Sequence, residues 1–155
     1  MKNYIWVSLI AMIPVAELRA AIPVGCSLGM PAWQTYAAAV VGNMIPVPLI
    51  ILFTRSVVKF IRTHWQKLDS LVNRLEANAM KKADRVMRYE ILGLWLFVAI
   101  PLPGTGAWTG AMIAALLNIR MRRSLPTIFL GVLTAGVIMT LVSYGISLGI
   151  ETIGG

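Results

Sequence analysis

The residues best equipped for chemistry in this chain are Glu17 and Arg19, a carboxylate and a guanidinium set between Pro14 and Pro23 in the stretch IPVAELRAAIP. Everything around them is apolar: uncharged runs extend from Asn3 to Ala16 and from Ala20 to Thr54. A charge near the middle of a bilayer costs roughly 2.5 to 3.5 kcal/mol on insertion scales, so a retained one marks a candidate site. Glu17 is a candidate proton carrier, and Arg19 suits an anion or the carbonyl ends of an interrupted helix. Residues two apart on a helix do not face each other, which predicts separate partners for the two unless the bend distorts the backbone.

Other chemistry is sparse. Glu17 is the only acid of the apolar runs apart from Glu151. A two-carboxylate mechanism and a carboxylate cage for a divalent metal therefore have no residues to use. No embedded histidine or lysine can activate a serine or threonine as a nucleophile. His64 and Cys26 are the single histidine and the single cysteine, which leaves no zinc-type ligand set and no intramolecular disulfide. Neither an enzyme nor a metal or cofactor protein is expected.

The elements that must hold Glu17 and Arg19 follow from composition. With 58% hydrophobic residues, 13% charged residues and a mean hydropathy of +0.78, this is an integral membrane protein. The net charge of +8 does not point to nucleic acid. Its basic residues gather between Arg55 and Arg88 and at Arg120, Arg122 and Arg123, beside apolar runs, as in cytoplasmic loops against anionic headgroups. Two further apolar runs, Ile91 to Asn118 and Ser124 to Ile150, are long enough to enter or cross a bilayer. Lys2 and the run from Tyr4 to Ala16, followed by Ala20 and Ala21, have the outline of a cleaved leader. An internal repeat argues for a membrane arm instead.

Placing Pro14 on Pro101 aligns Glu17 with Gly104, Arg19 with Gly106 and Pro23 with Gly110; after a shift of two residues, Gly42 falls on Gly131 and Pro46 on Ala135. Each half then has an apolar arm, a Pro/Gly-interrupted bend, a second arm, a short connection and a long apolar helix. Paired interruptions of this kind point to a transporter-type binding site. The arginines choose the topology. If all four apolar runs crossed the membrane, Arg120, Arg122 and Arg123 would lie outside, against the positive-inside tendency. Re-entrant hairpins at Pro14 and at Pro101 and Pro103 place the basic stretches 55–90 and 118–124 in the cytoplasm and both termini outside. Tyr4, Trp6, Trp33 and Tyr36 then form an outer aromatic belt, and Tyr89 and Trp95 an inner one.

The expected fold is an all-α integral membrane protein, a single membrane domain over 1–155. It is an inverted repeat of re-entrant hairpin plus spanning helix, with the first repeat at 1–55, the second at 91–155 and a cytoplasmic amphipathic linker at 56–90. Lipid cannot satisfy re-entrant backbone, so the two tips should face each other near the midplane. Asn43, Pro46 and Pro48 should break the first spanning helix at that depth, or Pro46 and Pro48 merely kink it. Gly104 and Gly106 allow close approach of a ligand or the opposite tip, Thr105 can cap the following arm, and Trp108 lines the cavity or fills space. In the linker, Ile61, Trp65, Leu68, Val72, Leu75 and Ala79 share one helical face. This face lies on headgroups or forms a heptad seam, and a homodimer is expected over a monomer.

ELRAAIPVG from Glu17, GNMIPVP from Gly42 and FVAIPLPGTGAWTG from Phe97 resemble the motifs of the family of putative small multidrug export proteins. The resemblance covers nearly the whole chain. More distantly, a glutamate-bearing re-entrant hairpin opposed to a Pro/Gly hairpin is similar to the DedA superfamily of membrane translocators, implicated in lipid-carrier translocation and proton-dependent drug tolerance. The resemblance implies opposed hairpins and roles for Glu17 and Arg19. The DedA pattern has an arginine after the second hairpin's proline–glycine turn, whereas Thr105 to Ala111 are uncharged here, which leaves a lipid phosphate one cationic partner fewer.

Together these readings lead to a small transporter of the inner cell membrane, with a midplane site and Glu17 as the proton-coupling acid. Its expected cargo is hydrophobic or cationic compounds. A lipid flippase using Arg19 on a phosphate is the second reading, and an oligomeric scaffold organised through the heptad segment is the third.

Overall fold

The computed structural model describes residues 2–64, 83–102 and 104–154, and among them every regular element is a helix. Helix α1 spans Lys2–Met12 and α2 spans Glu17–Ser27, with 11 residues each. At about 1.5 Å per residue each is about 16 Å long, half the thickness of a bilayer core. Between them the chain turns at 13–16, where Ile13 donates to the Ile10 carbonyl at 3.1 Å and Glu17 to the Ile13 carbonyl at 2.9 Å. Pro14 helps end α1, since it has no amide to continue the ladder.

Helix α3 (Ala32–Met44) is separated from α4 (Pro46–His64) by a bend at Ile45. Then come α5 (Ala83–Ala99), α6 (Ala107–Leu116) and the 34-residue α7 (Met121–Gly154). Among the described residues, two stretches are long and apolar enough to cross a membrane: Ala32–Phe60, with mean hydropathy 2.0, and Met121–Gly149, with 2.2. Large apolar side chains such as Trp6, Phe53 and Leu141 lie exposed on these helices and on α1, a surface suited to lipid rather than water. Most of the expected linker, 65–82, lies outside the described residues, and with it the heptad positions from Trp65 to Ala79.

Packing repeats in a pattern. Helix α1 lies along α3 and α5 along α7; α2 packs on α3 and reaches across to α7, while α6 packs on α7 and reaches across to α4. Gly42 sits so close to α1 that a Cβ there would come within 2.8 Å of Ser8 Cα, and one at Gly131 within 2.6 Å of Val98 Cβ on α5. The core between them is aliphatic, with Leu18, Ile22, Ile51, Val98, Ile128 and Val132 fully or almost fully enclosed.

The turns repeat too. After α2, Gly29 adopts φ +67° and Met30 donates to the Gly25 carbonyl at 3.1 Å; after α6, Asn118 adopts φ +55° and Ile119 donates to the Ala114 carbonyl at 2.9 Å. Both are helix-ending turns of Schellman type, built on a left-handed residue. Thr35 then donates through its amide to Pro31, and Ser124 to Arg120, both at 3.0 Å. Every one of these pairs has the same separation in sequence as Gly42 and Gly131. Earlier in the chain, Glu17 (φ +47°) has positive φ at the first hairpin, and Gly104 (φ +86°) and Gly106 (φ +143°) have it at the second. The two-residue shift therefore falls at the second tip, between the end of α5 at Ala99 and the start of α6 at Ala107. At the separation shared by the later turns, Trp108 stands opposite Arg19 and Met112 opposite Pro23, two residues beyond Gly106 and Gly110.

Candidate functional site

Glu17 opens α2 in a left-handed conformation and is almost fully buried. From there its carboxylate reaches the other half of the chain, where Oε1 accepts the Trp108 amide at 3.1 Å. Trp108 is in the first turn of α6, whose N-terminal residue before the helix, Gly106, offers no side-chain cap. A helix start leaves amides unpartnered and carries partial positive charge, so a carboxylate satisfies it twice over. Gly106 makes the approach possible. Its φ of +143° is a glycine conformation, and a Cβ on it would lie 2.7 Å from the Glu17 carboxyl carbon.

Arg19, two residues after Glu17, binds the same tip. Its Nη1 donates to the Thr105 carbonyl. Its Nη2 donates to the Thr105 hydroxyl at 2.8 Å and to the Ile100 carbonyl at 3.2 Å. The two charges also approach each other, with Nη1 4.0 Å from Glu17 Oε2. The left-handed backbone at Glu17 explains how residues two apart share a target, since the helical geometry that would separate them begins only after it. Thr105 does not cap α6. Its hydroxyl lies 2.8 Å from the Ile100 carbonyl and 2.9 Å from that of Leu102, so it ties the tip to itself.

Of the remaining candidates, Pro14 and Gly104 are exposed on the two tips, and Pro23 is exposed within α2. Pro101 is half-buried, and Pro103 lies outside the described residues. Trp108 is half-buried, with its indole Nε1 enclosed and without a hydrogen-bond partner among the described residues. Asn43 is fully buried at the end of α3, beside buried Pro46 at the helix break. The structure thus brings Glu17, Arg19, Thr105, Gly106 and Trp108 together and sets Asn43 on a separate element.

Two latching side chains, Tyr144 and Arg55, escape a reading based on charge and hydropathy. The Tyr144 hydroxyl donates to the Met30 carbonyl at 2.7 Å and lies 2.8 Å from the Thr35 hydroxyl. Arg55 donates to the carbonyl of Ile119. Met30 and Ile119 close the two repeated turns, and Arg55 and Tyr144 stand at the same separation as those turns. Each half thus latches the other's turn through one long side chain.

A family model described as "Putative small multi-drug export protein" matches residues 17–138, well over half of the chain, from Glu17 through both latched turns. No curated protein and no solved structure matches.

Proposed function

Because this chain belongs to the family of putative small multi-drug export proteins, we propose that it exports small hydrophobic or cationic compounds by proton-coupled exchange at the meeting point of two re-entrant hairpins. One observation carries this reading: both embedded charges of the first hairpin, Glu17 and Arg19, engage the tip of the second. Re-entrant hairpins need polar cover, and each tip here supplies it to the other. The recurrence of turns, latches and glycine contacts at one separation supports an inverted repeat, with each hairpin followed by one crossing helix. Positive-inside bias then puts Arg55, Arg120, Arg122 and Arg123 in the cytoplasm of a cell-membrane protein and both termini outside.

In this cycle ionised Glu17 holds the start of α6, which the charge and the helix dipole both favour. Taking a proton removes that charge and loosens the α6 contact, so the tips part and the cavity between them changes its exposure. A hydrophobic cation leaves as the proton enters, which balances the charge crossing the membrane.

The test is uptake of a fluorescent lipophilic cation into proteoliposomes under an imposed proton gradient. Uptake should be lost in Glu17→Gln, and gradient-driven uptake that persists in this variant refutes the coupling role. Arg19 has both terminal nitrogens on backbone or hydroxyl oxygens of the tip, which leaves it poorly placed to receive a phosphate. Polyprenyl phosphate flipping that is lost in Arg19→Ala would replace export with the flippase reading.

A further inference from the structure

Asn43 is enclosed to 0% exposure, yet neither its Oδ1 nor its Nδ2 has a hydrogen-bond partner among the described residues. Buried amides are almost always paired, and an unpaired one destabilises the fold that holds it. The backbone beside it is also short of donors. Helix α3 ends here, with Ile45 donating to the Val41 carbonyl at 3.3 Å. Pro46 and Pro48 occupy the positions whose amides would serve the carbonyls of Gly42 and Met44, and proline has no amide to give. The bend between α3 and α4 therefore combines carbonyls without their helical donors with a buried amide oxygen.

The second half shows that the architecture itself does not require this. At the corresponding position α7 carries Val132, equally buried, and Ala135 stands where the first half has Pro46, so α7 runs on without a break. An apolar residue and a continuous helix fill the same place in the repeat, so the polar break is peculiar to the first half.

We propose that Asn43 and the carbonyl-rich end of α3 bind a dehydrated monovalent cation, either an alkali ion or the ammonium group of an organic cargo. Neutral oxygens at the end of an interrupted membrane helix suit a single positive charge. No group of three His, Cys, Asp or Glu side chains able to hold a metal ion occurs among the described residues, which disfavours a divalent ion here. The inference is separate from the proton-coupling role of Glu17, because it concerns equilibrium binding and not transport.

The experiment follows the thermal midpoint of the purified full chain in detergent by tryptophan fluorescence. Sodium, potassium or n-butylammonium chloride is titrated against N-methyl-D-glucamine chloride at constant ionic strength. A saturable rise with an alkali ion identifies an ion site, and a rise with butylammonium alone identifies a cargo site. Asn43→Val, which copies the second half, should leave the midpoint in N-methyl-D-glucamine at or above that of the parent and weaken the cation on the order of ten- to a hundred-fold. Should that variant fail to fold, Asn43→Asp decides, since an added carboxylate should tighten the cation at least about ten-fold. No shift with any of the three salts, a shift unchanged in Asn43→Val, or unchanged affinity in Asn43→Asp overturns the proposal.

Discussion

Gly106→Ala is the sharpest perturbation of the contact between the hairpins, because two independent costs meet at one methyl group. The first is conformational: φ is +143° at Gly106, and holding a residue with a Cβ in such a sparsely populated region costs about 1–3 kcal/mol. The second is steric, since the new Cβ would overlap the Glu17 carboxylate. Forcing extra volume into a packed site typically costs about 1–3 kcal/mol more. The sum is about 2–6 kcal/mol, or about 5–20 °C in thermal midpoint for a chain of this size. The assay is a double-mutant cycle with Glu17→Ala, read as midpoints in detergent. Removing the carboxylate should return the steric share and leave the conformational one, so the two substitutions should couple by about 1–3 kcal/mol. Destabilisation by Gly106→Ala below about 0.5 kcal/mol, or additivity within the same margin, refutes the contact between tip and carboxylate.

Gly42→Ala and Gly131→Ala should each cost about 1–3 kcal/mol by overpacking, but with different remedies. Val98→Gly should partly rescue Gly131→Ala, whose clash is with Val98 Cβ and Cγ1, while Ser8→Gly should not rescue Gly42→Ala, whose clash is with backbone; equal rescue of both would contradict the packing. Arg55→Met should lower stability by about 1.5–3 kcal/mol and Tyr144→Phe by about 0.5–1.5 kcal/mol, because one latch uses a charged donor and the other a neutral one. Unchanged unfolding midpoints in both variants would remove the latches. In a Cys26→Ser background, Ser27→Cys should react with an impermeant thiol reagent on intact cells, and Arg122→Cys only after permeabilisation; both positions are exposed, and the reverse pattern would invert the topology.

The broad plan is legible in the chain because proline, glycine and apolar length leave strong marks. Pro14 and the IPLPGTG stretch mark the two bends, and the apolar runs after them mark the two long helices. The details of contact are less legible. Sequence alone leaves the place of the two-residue shift undetermined, since it depends on positive-φ backbone at Glu17, Gly104 and Gly106 in the two tips. A charge count assigns Arg55 to the headgroups, and Tyr144 disappears within the apolar run of α7. Both act on main-chain carbonyls, which every residue carries and no motif records. Once Gly42 is placed on Gly131, however, Arg55 falls on Tyr144 and Met30 on Ile119, so the repeat itself is the signal that finds them.

Under the proposed cycle, the two charges of the first hairpin have different futures when the tips separate. A hydrogen bond to a charged group is worth about 1.5–3 kcal/mol, comparable with the roughly 2.5–3.5 kcal/mol needed to place one charge in the membrane centre. Glu17 and Arg19 recover that cost only while the second tip lies against them. Glu17 can leave its amide by taking a proton and becoming neutral. Arg19 has no such option, because guanidinium stays charged at any physiological pH. It must carry the carbonyls of Ile100 and Thr105 along with it or meet water. Under the proposed cycle, Arg19 is therefore the tether that keeps the second tip in register with the first. Glu17 is the latch whose release depends on the proton, and the start of α6 at Trp108 is the element that moves.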